Sequence, residues 1–312
     1  MELRHLRCFL AVAEELHFAH AAERLHMEQS PLSRAIKELE EELGVVLFAR
    51  TTRSTRLTLA GNLFLEHVPR IFTALQQARD SVKASANGFH GQLRIALSDG
   101  MTPSRLPALL ALCRQEEPEV EIRLFEVPLA QQLKGLHEDL YDVGLAQSAN
   151  VGDGILAVEA WSDPLHVALP ARHPLLAYKR IPLNEVLRYP LVMGDPQFCE
   201  GYCRQIEHIL RVADQEPLVA EKVMSCELMM AMVAAGLALG LAGASQIAGG
   251  REQGIVARPL AGHAPVLTTY LLRLDREPSE KLSRFVERVV AAPSKARCLV
   301  SRRPDDREEI GA

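Results

Sequence analysis

Apolar residues near the amino end of the chain recur at steps of three and four, the period of a helix buried along one face. Leu3, Leu6, Phe9, Leu10 and Ala13 form the inner face of a first predicted helix, and Phe18, Ala21, Ala22 and Leu25 that of a second, short one. The small side chains of Ala21 and Ala22 let another helix approach closely. After a brief turn at His26–Met27, Leu32, Ile36, Leu39 and Leu43 make the apolar stripe of a third helix in "EQSPLSRAIKELEEELG", residues 28 to 44. Two short helices joined by a tight turn have the spacing of a helix-turn-helix. Two β-prone runs then flank a polar tip in "VVLFARTTRSTRLTL", predicting a wing hairpin that carries Arg50, Arg53 and Arg56.

Thr58 is placed to cap a long helix reaching about Ala86. Along it Phe64, Val68, Ile71, Leu75, Ala78 and Val82 alternate in steps of four and three, the seam of a coiled coil. A helix of roughly 28 residues is long for packing within one domain, so these six positions are expected to pair with a second chain. Pro69 should kink the helix or leave one carbonyl unpaired.

"ANGFHG", residues 86 to 91, reads as a linker, and the pattern changes beyond it. Strand-like "QLRIALS", "VEIRLFEV" and "VGLAQS" alternate with helix-like "SRLPALLALCRQEE" and "LAQQLKGLHEDL", a βαβαβ unit with a mostly parallel sheet. A second such unit runs from "LHVALP" to "LALGLAG". "PVLTTYLLR" and a last helix, Pro278 to Val290, return to the first. The expected fold class is α/β overall: an all-α winged head over 1–58, a linker and dimerisation helix over 59–87, and a two-lobed α/β domain over 88–295. Lobe I takes about 91–162 and 267–295 and lobe II about 163–266, while 296–312 is a polar tail expected to be disordered. Two α/β lobes leave a crevice, the usual place for a small ligand.

Composition narrows the class. At 312 residues, 48% hydrophobic and 24% charged, the chain suits two or three soluble domains. Its start has charge inside the apolar stretch, unlike a signal peptide. The most apolar segment, 229–248, is interrupted by five glycine, serine or glutamine positions and reads as a buried helix–strand pair. The six cysteines are scattered, so reduced thiols and a cytoplasmic location are the expectation. Net charge is −5, and residues 1–60 hold eight Arg and Lys against nine Glu, so affinity for nucleic acid must come from the arrangement of charge. From Gly44 to Asn62 there are three arginines and no acid.

The third helix carries that arrangement. Ser30, Ser33, Arg34 and Lys37 occupy its first two turns, and Glu38, Glu40, Glu41 and Glu42 crowd its rear. Together with Ala21-Ala22, Gln29-Ser30-Pro31-Leu32-Ser33, Leu39-Glu40, Leu43-Gly44, Leu47-Phe48, Arg50, Arg53 and Leu57-Thr58-Leu59-Ala60-Gly61, this resembles the winged helix-turn-helix of LysR-type transcriptional regulators. Leu93-Arg94-Ile95, Leu106-Pro107, Pro170, His173-Pro174-Leu175 and Val233-Ala234-Ala235-Gly236 resemble that family's effector domain, a periplasmic-binding-protein-like pair of lobes. The resemblance covers about residues 1–295. Glu28 stands where many members have a capping serine; Ser30, with Pro31 at the first helical position, is the substitute cap.

The resemblance implies a sequence-specific DNA-binding regulator, a homodimer or homotetramer on an operator with two half-sites, with RNA polymerase a further partner and no membrane. Gln29, Ser30, Pro31, Ser33, Arg34 and Lys37 would enter the major groove, the acidic rear turned away, with Arg50 and Arg53 on flanking backbone. A small-molecule effector would lie between the lobes. Asp99, Gly100, Met101, Thr102, Val127, Pro128 and Gln147 would line one side, and Cys199, Glu200 and Ser225 the other. Asp99, unless it only caps a helix, and Glu200 would repel an acidic ligand. Met224, Met229, Met230 and Met232 are core or an adaptable pocket. Cys199 and Cys203, four apart near a helix start where thiol pKa falls, leave a thiol-redox or metal-responsive regulator as the alternative. Glu207 continues their stripe and His208 lies off it, so no metal or other cofactor is assigned. An exported solute-binding protein would share the lobes but lack the helix-turn-helix. No hydrolase, zinc-protease or phosphate-loop motif points to an enzyme.

Overall fold

Three helices and a hairpin close over Phe9. In the computed structural model, which describes residues 1–50, 55–99, 105–211, 215–249, 254–262 and 265–291, the chain divides into two compact units, Met1–Val82 and Lys83–Ala312. The first is built on α1 (Leu3–Glu15), α2 (Phe18–Arg24) and α3 (Gln29–Leu43). Their apolar stripes meet in one cluster of Leu6, Phe9, Val12, Phe18, Ala21, Ala22, Leu32, Ile36 and Leu39. Leu3, at the first helical position, stays exposed, and Val12, outside the expected stripe, is fully buried. Gly44 ends α3 in the left-handed conformation (φ 69°), which a side chain would disfavour.

The wing is a short antiparallel pair, β1 (Phe48–Arg50) and β2 (Thr55–Leu57), with Phe48 opposite Leu57. Phe48 turns its ring onto Phe9, centroids 5.4 Å apart. Thr58 caps the long α4 (Leu59–Ala86) as expected: its hydroxyl accepts from the Gly61 N–H at 3.0 Å and donates to the Val46 carbonyl at 2.7 Å. A Cβ on Gly61 would collide with the Leu47 carbonyl, so glycine here lets the helix lie against the wing. The helix runs unbroken through Pro69, whose missing N–H leaves the Leu65 carbonyl without its usual helical partner.

The expected dimer seam splits in two. Val68 is fully buried in its own unit's core, with Phe64 and Ile71 packed against the same cluster and Phe64 edge-on to Phe9 at 4.9 Å. These three residues are therefore spent within the chain. Leu75 is half-buried, and Ala78 and Val82 are exposed. A period of three and four describes any buried helix face, so it could not say which neighbour covers which turn.

In the second unit β3 (Gly91–Leu97), α5 (Leu106–Glu116), β4 (Val120–Glu126), α6 (Leu129–His137) and β5 (Val143–Ala146) alternate, with the strands parallel in the order β4-β3-β5. Arg94 on β3 grips Asp142 through two nitrogens (3.1 and 2.8 Å) and ties that strand to the start of β5. β6 (Ile155–Pro170) is long enough to serve both lobes. Its first part pairs with β11 (Val266–Leu274), its last with β9 (Leu239–Gly243) and β10 (Ile255–Pro259). All these pairings are antiparallel, so the sheet is mixed at the crossing rather than mostly parallel throughout.

Beyond the crossing, β7 (Leu191–Gly194) lies parallel to β8 (Val219–Val223) and β9, covered by α8 (Glu200–Leu210) and α9 (Cys226–Ala234). The short α7 (Leu183–Val186) and α10 (Ala244–Gly249) complete the lobe. The segment 229–248 holds the expected helix–strand pair, the end of α9 and all of β9, followed by most of α10. Helix α11 (Glu280–Ala291) returns to lobe I, where Leu282, Phe285 and Val289 join Leu93, Ile95 and Leu109. Glu117, after α5, is clamped by Arg284 and Arg288. Burial works against its charge, but the two guanidinium groups win and hold the carboxyl below its ordinary pKa. Among the described residues no helix is long and apolar enough to cross a membrane.

The split seam separates two substitutions on one helix. Val68→Asp should bury an unpaired carboxylate and destabilise the amino-terminal unit by about 3–5 kcal/mol. Val82→Asp should cost the unit's own fold no more than about 0.5 kcal/mol when unfolding is read at concentrations low enough to keep the chain monomeric. Scanning calorimetry distinguishes the two, and equal effects would show that the helix packs along its whole length within one chain.

Candidate DNA-reading helix and interlobe crevice

The front of α3 is open to solvent. Gln29, Ser30, Pro31, Arg34 and Lys37 are exposed and Ser33 half-buried, while Leu32 and Ile36 on the opposite face are fully buried. The cap falls two residues earlier than the expected Ser30. Glu28 is the cap residue, without a side-chain capping bond, and Ser30 and Pro31 lie inside the first turn. Proline costs nothing there, because the first N–H groups of a helix have no partner within it. Arg50 lies on β1, opposite Thr55; Arg53 lies outside the described residues.

Each acid of the rear has a local job. Glu40 accepts from the backbone N–H groups of Leu47 (2.8 Å) and Phe48 (3.1 Å), tying α3 to the root of the wing. Glu38 lies 3.3 Å from Nε2 of the buried His5, and Glu42 pairs with the terminal amine of Met1. Glu41 is 3.4 Å from Lys37, one turn back. The acids thus orient α1 and the wing around α3, besides keeping negative charge away from its amino end.

In the second unit the three parallel strands of lobe I end level. Leu97 stands opposite Glu126 of β4 and Leu145 of β5. The turns that follow bring Asp99, Val127, Pro128 and Gln147 to one edge of the sheet, the position where α/β folds hold ligands. Val127 N–H donates to the Leu97 carbonyl at 3.0 Å, and Pro128 is the cap position of α6. Gly100, Met101 and Thr102 lie outside the described residues.

Asp99 does not face solvent as an acidic wall. It is 1% exposed, and its carboxylate joins the lobes. Oδ1 accepts from the N–H of Gly201 at 2.7 Å and that of Tyr202 at 3.4 Å, both in the first turn of α8. Oδ2 accepts from the N–H of Gln147 at 2.8 Å and the hydroxyl of Ser98 at 3.0 Å. The amino end of a helix, with free N–H groups and a positive dipole end, suits such a charge. Gly201 makes the approach feasible: a Cβ there would stand 2.6 Å from the carbonyl carbon of Gln147 and 2.9 Å from Asp99 Oδ2. One turn on, Gln205 Nε2 donates to the carbonyls of Gln147 (2.6 Å) and Thr268 (2.8 Å), and its Oε1 accepts from Thr268 N–H (2.8 Å).

The side chains expected from lobe II are engaged elsewhere. The Cys199 thiol is buried and faces the Met224 carbonyl at 3.4 Å. Glu200 is half-exposed and paired with Arg204, and Ser225 caps α9 by accepting from Leu228 N–H at 3.3 Å. Lobe II meets Asp99 with backbone instead. Sequence reasoning missed Gly201, Tyr202, Gln205 and Thr268. Only Gly201 carried a signal, a glycine inside a helix, which marks close approach.

The thiols are not the acidified pair that the redox alternative requires. Burial, then the charge of Asp99 and Cys203, pushes Cys199 up to about 12, and burial with Glu207 and Asp99 takes Cys203 to about 11. Burial and Glu227 raise Cys226 to about 12. Desolvation outweighs the helix start. Met229 and Met230 are core, Met232 packs against it, and Met224 is exposed. Among the described residues no three His, Cys, Asp or Glu side chains gather as a metal site. A cavity of about 600 Å³ opens elsewhere in lobe II, between β7, β8 and the face of α8 that carries Cys203, Glu207 and Leu210. Helical periodicity puts that face opposite Gly201 and Gln205.

Residues 3–62 match the family described as bacterial regulatory helix-turn-helix protein, lysR family, and residues 86–293 match the LysR substrate binding domain. The uncharacterized HTH-type transcriptional regulator YnfL of Escherichia coli (strain K12) is 33% identical over 246 residues, 78% of this chain and 83% of that protein. The regulator AlsR of Bacillus subtilis (strain 168) is 33% identical over 239 residues, 77% of this chain and 79% of that one. Among solved structures, full-length CbnR complexed with its target DNA has a TM-score of 0.67 at 28% identity, covering 93% of this chain and 99% of that chain.

Thiols with pKa values near 11 and 12 are at most roughly a thousandth ionised at pH 8. In the native protein Cys199, Cys203 and Cys226 should therefore resist iodoacetamide at that pH and label fully once denatured, as mapped by peptide mass spectrometry. Native labelling of Cys199 or Cys203 within about tenfold of a free thiol's rate would restore the redox reading.

Proposed function

Since the chain belongs to the LysR family of bacterial helix-turn-helix regulators, we propose that it reads a two-half-site operator with the front of α3 and answers a small molecule held between its lobes. The observation that carries the first part is the exposed amino end of α3, with hydroxyls, an amide and two cations on it and its acids bound behind. Small side chains let the backbone approach base edges, Gln29 offers adenine a bidentate partner, and Arg34 offers one to guanine. We assign contacts with flanking phosphate to Arg50 and, from the sequence alone, to Arg53. The likeness to CbnR on its target DNA supports duplex DNA as the partner, and the site of action is the cytoplasm, where that DNA is.

A two-half-site operator calls for two heads. The half of α4 left uncovered, Leu75, Ala78 and Val82, is the surface we assign to pairing in a homodimer or a dimer of dimers, in place of the full seam. A ligand that touches both lobes favours one lobe arrangement, and that differential contact is what shifts the spacing of the heads or the bend of the operator.

Arg34→Ala or Ser33→Ala should weaken operator binding in gel shifts by about 1–3 kcal/mol, the value of a lost base contact, with little change on unrelated DNA. Equal losses on both kinds of DNA would remove the base-reading role. Leu75→Asp combined with Val82→Asp should abolish the dimer in sedimentation and with it binding to the full operator. A double variant that stays dimeric would place the interface elsewhere.

A further inference from the structure

We propose that Asp99 is the chain's own occupant of an anion cradle between the lobes, and that it is the residue by which the crevice excludes carboxylate effectors. The inference rests on reading the crevice as the effector site and names the chemistry that site selects against. Three backbone donors converge there: Gly201 and Tyr202 N–H from the start of α8 and Gln147 N–H from the end of β5. Convergent backbone N–H groups at the amino end of a helix make a binding place for an anion. Both oxygens of Asp99 already fill it, at 2.7 and 2.8 Å on the two lobes.

The local backbone is bent to this end. Asp99 has φ 70°, a left-handed conformation that residues other than glycine adopt at a cost. Gly201, across the crevice, leaves no Cβ in the way. A ligand carboxylate arriving here would meet a fixed negative charge with its donors taken. One group beside the cradle is left over. Oε1 of Gln147, a residue 8% exposed, has no hydrogen-bond partner among the described residues. With the donors of the cradle taken by Asp99, this end of the crevice disfavours a ligand of net negative charge.

Glycine at position 99 keeps the left-handed backbone without strain while removing the carboxylate, so Asp99→Gly empties the cradle and little else. Its effector domain should unfold roughly 5 °C or more below wild type. Sodium acetate or formate should restore much of that loss, saturating with a millimolar midpoint, whereas sodium chloride at equal ionic strength should not. Wild type should show no saturable gain from either carboxylate. Rescue no better than chloride gives, or equal stabilisation of wild type, overturns the proposal. Should Asp99→Gly fail to fold, Asp99→Asn decides: it keeps shape and backbone preference but not charge, and wild-type stability in that variant overturns the proposal as well. These measurements read the cradle alone. A failed effector reading would appear instead as operator binding indifferent to every added compound.

Discussion

A carboxylate sealed from water survives only where donors meet both of its oxygens, and Asp99 imposes that condition on the whole effector unit. The strands of lobe I must end level so that Ser98 and Gln147 reach one oxygen. Helix α8 must present its first turn to the other, which requires glycine at 201. Gln205 then closes the same junction to Thr268 on β11. The lobes are thus held by two long strands, β6 and β11, and by one polar junction beside them. Of these, the junction is the part that a small molecule can alter without breaking a sheet.

Charge is used the same way in the DNA-reading unit. A chain with a net charge of −5 has no overall attraction for phosphate. Glu40 is turned onto the wing and Glu38 toward a buried histidine, so the helix we propose for reading DNA is acid-rich in composition but cationic at its exposed front. The same contacts hold the wing at a defined place relative to α3, which a hairpin with three-residue strands could not secure by itself.

The cysteines illustrate how burial overrules local position. A helix start lowers a thiol's pKa when the thiol stays near water and cations. Cys199 and Cys203 sit in the core of lobe II with Asp99 and Glu207 nearby, so both are pushed the other way. Thiols held in this state are poor candidates for carrying a signal by oxidation.

The order of elements was legible in the sequence because it rests on local causes. The stripe of Leu32, Ile36 and Leu39, the Thr58 cap, the length of α4 and the alternation of strand and helix after residue 90 each follow from spacing and propensity within a few residues. Asp99 and Gln147 are placed at the crevice by the family resemblance, and the turns after parallel strands do bring them to one edge of the sheet. The role of Asp99 was not legible, because its partners lie 102 and 48 positions away and donate through backbone, which carries no signature in a residue type. Periodicity likewise showed that α4 has an apolar face but not that Val68 is covered by its own unit while Val82 is bare. What a side chain pairs with across the fold was decided by tertiary structure alone, for the physical reason that burial and long-range hydrogen bonds depend on which surfaces meet.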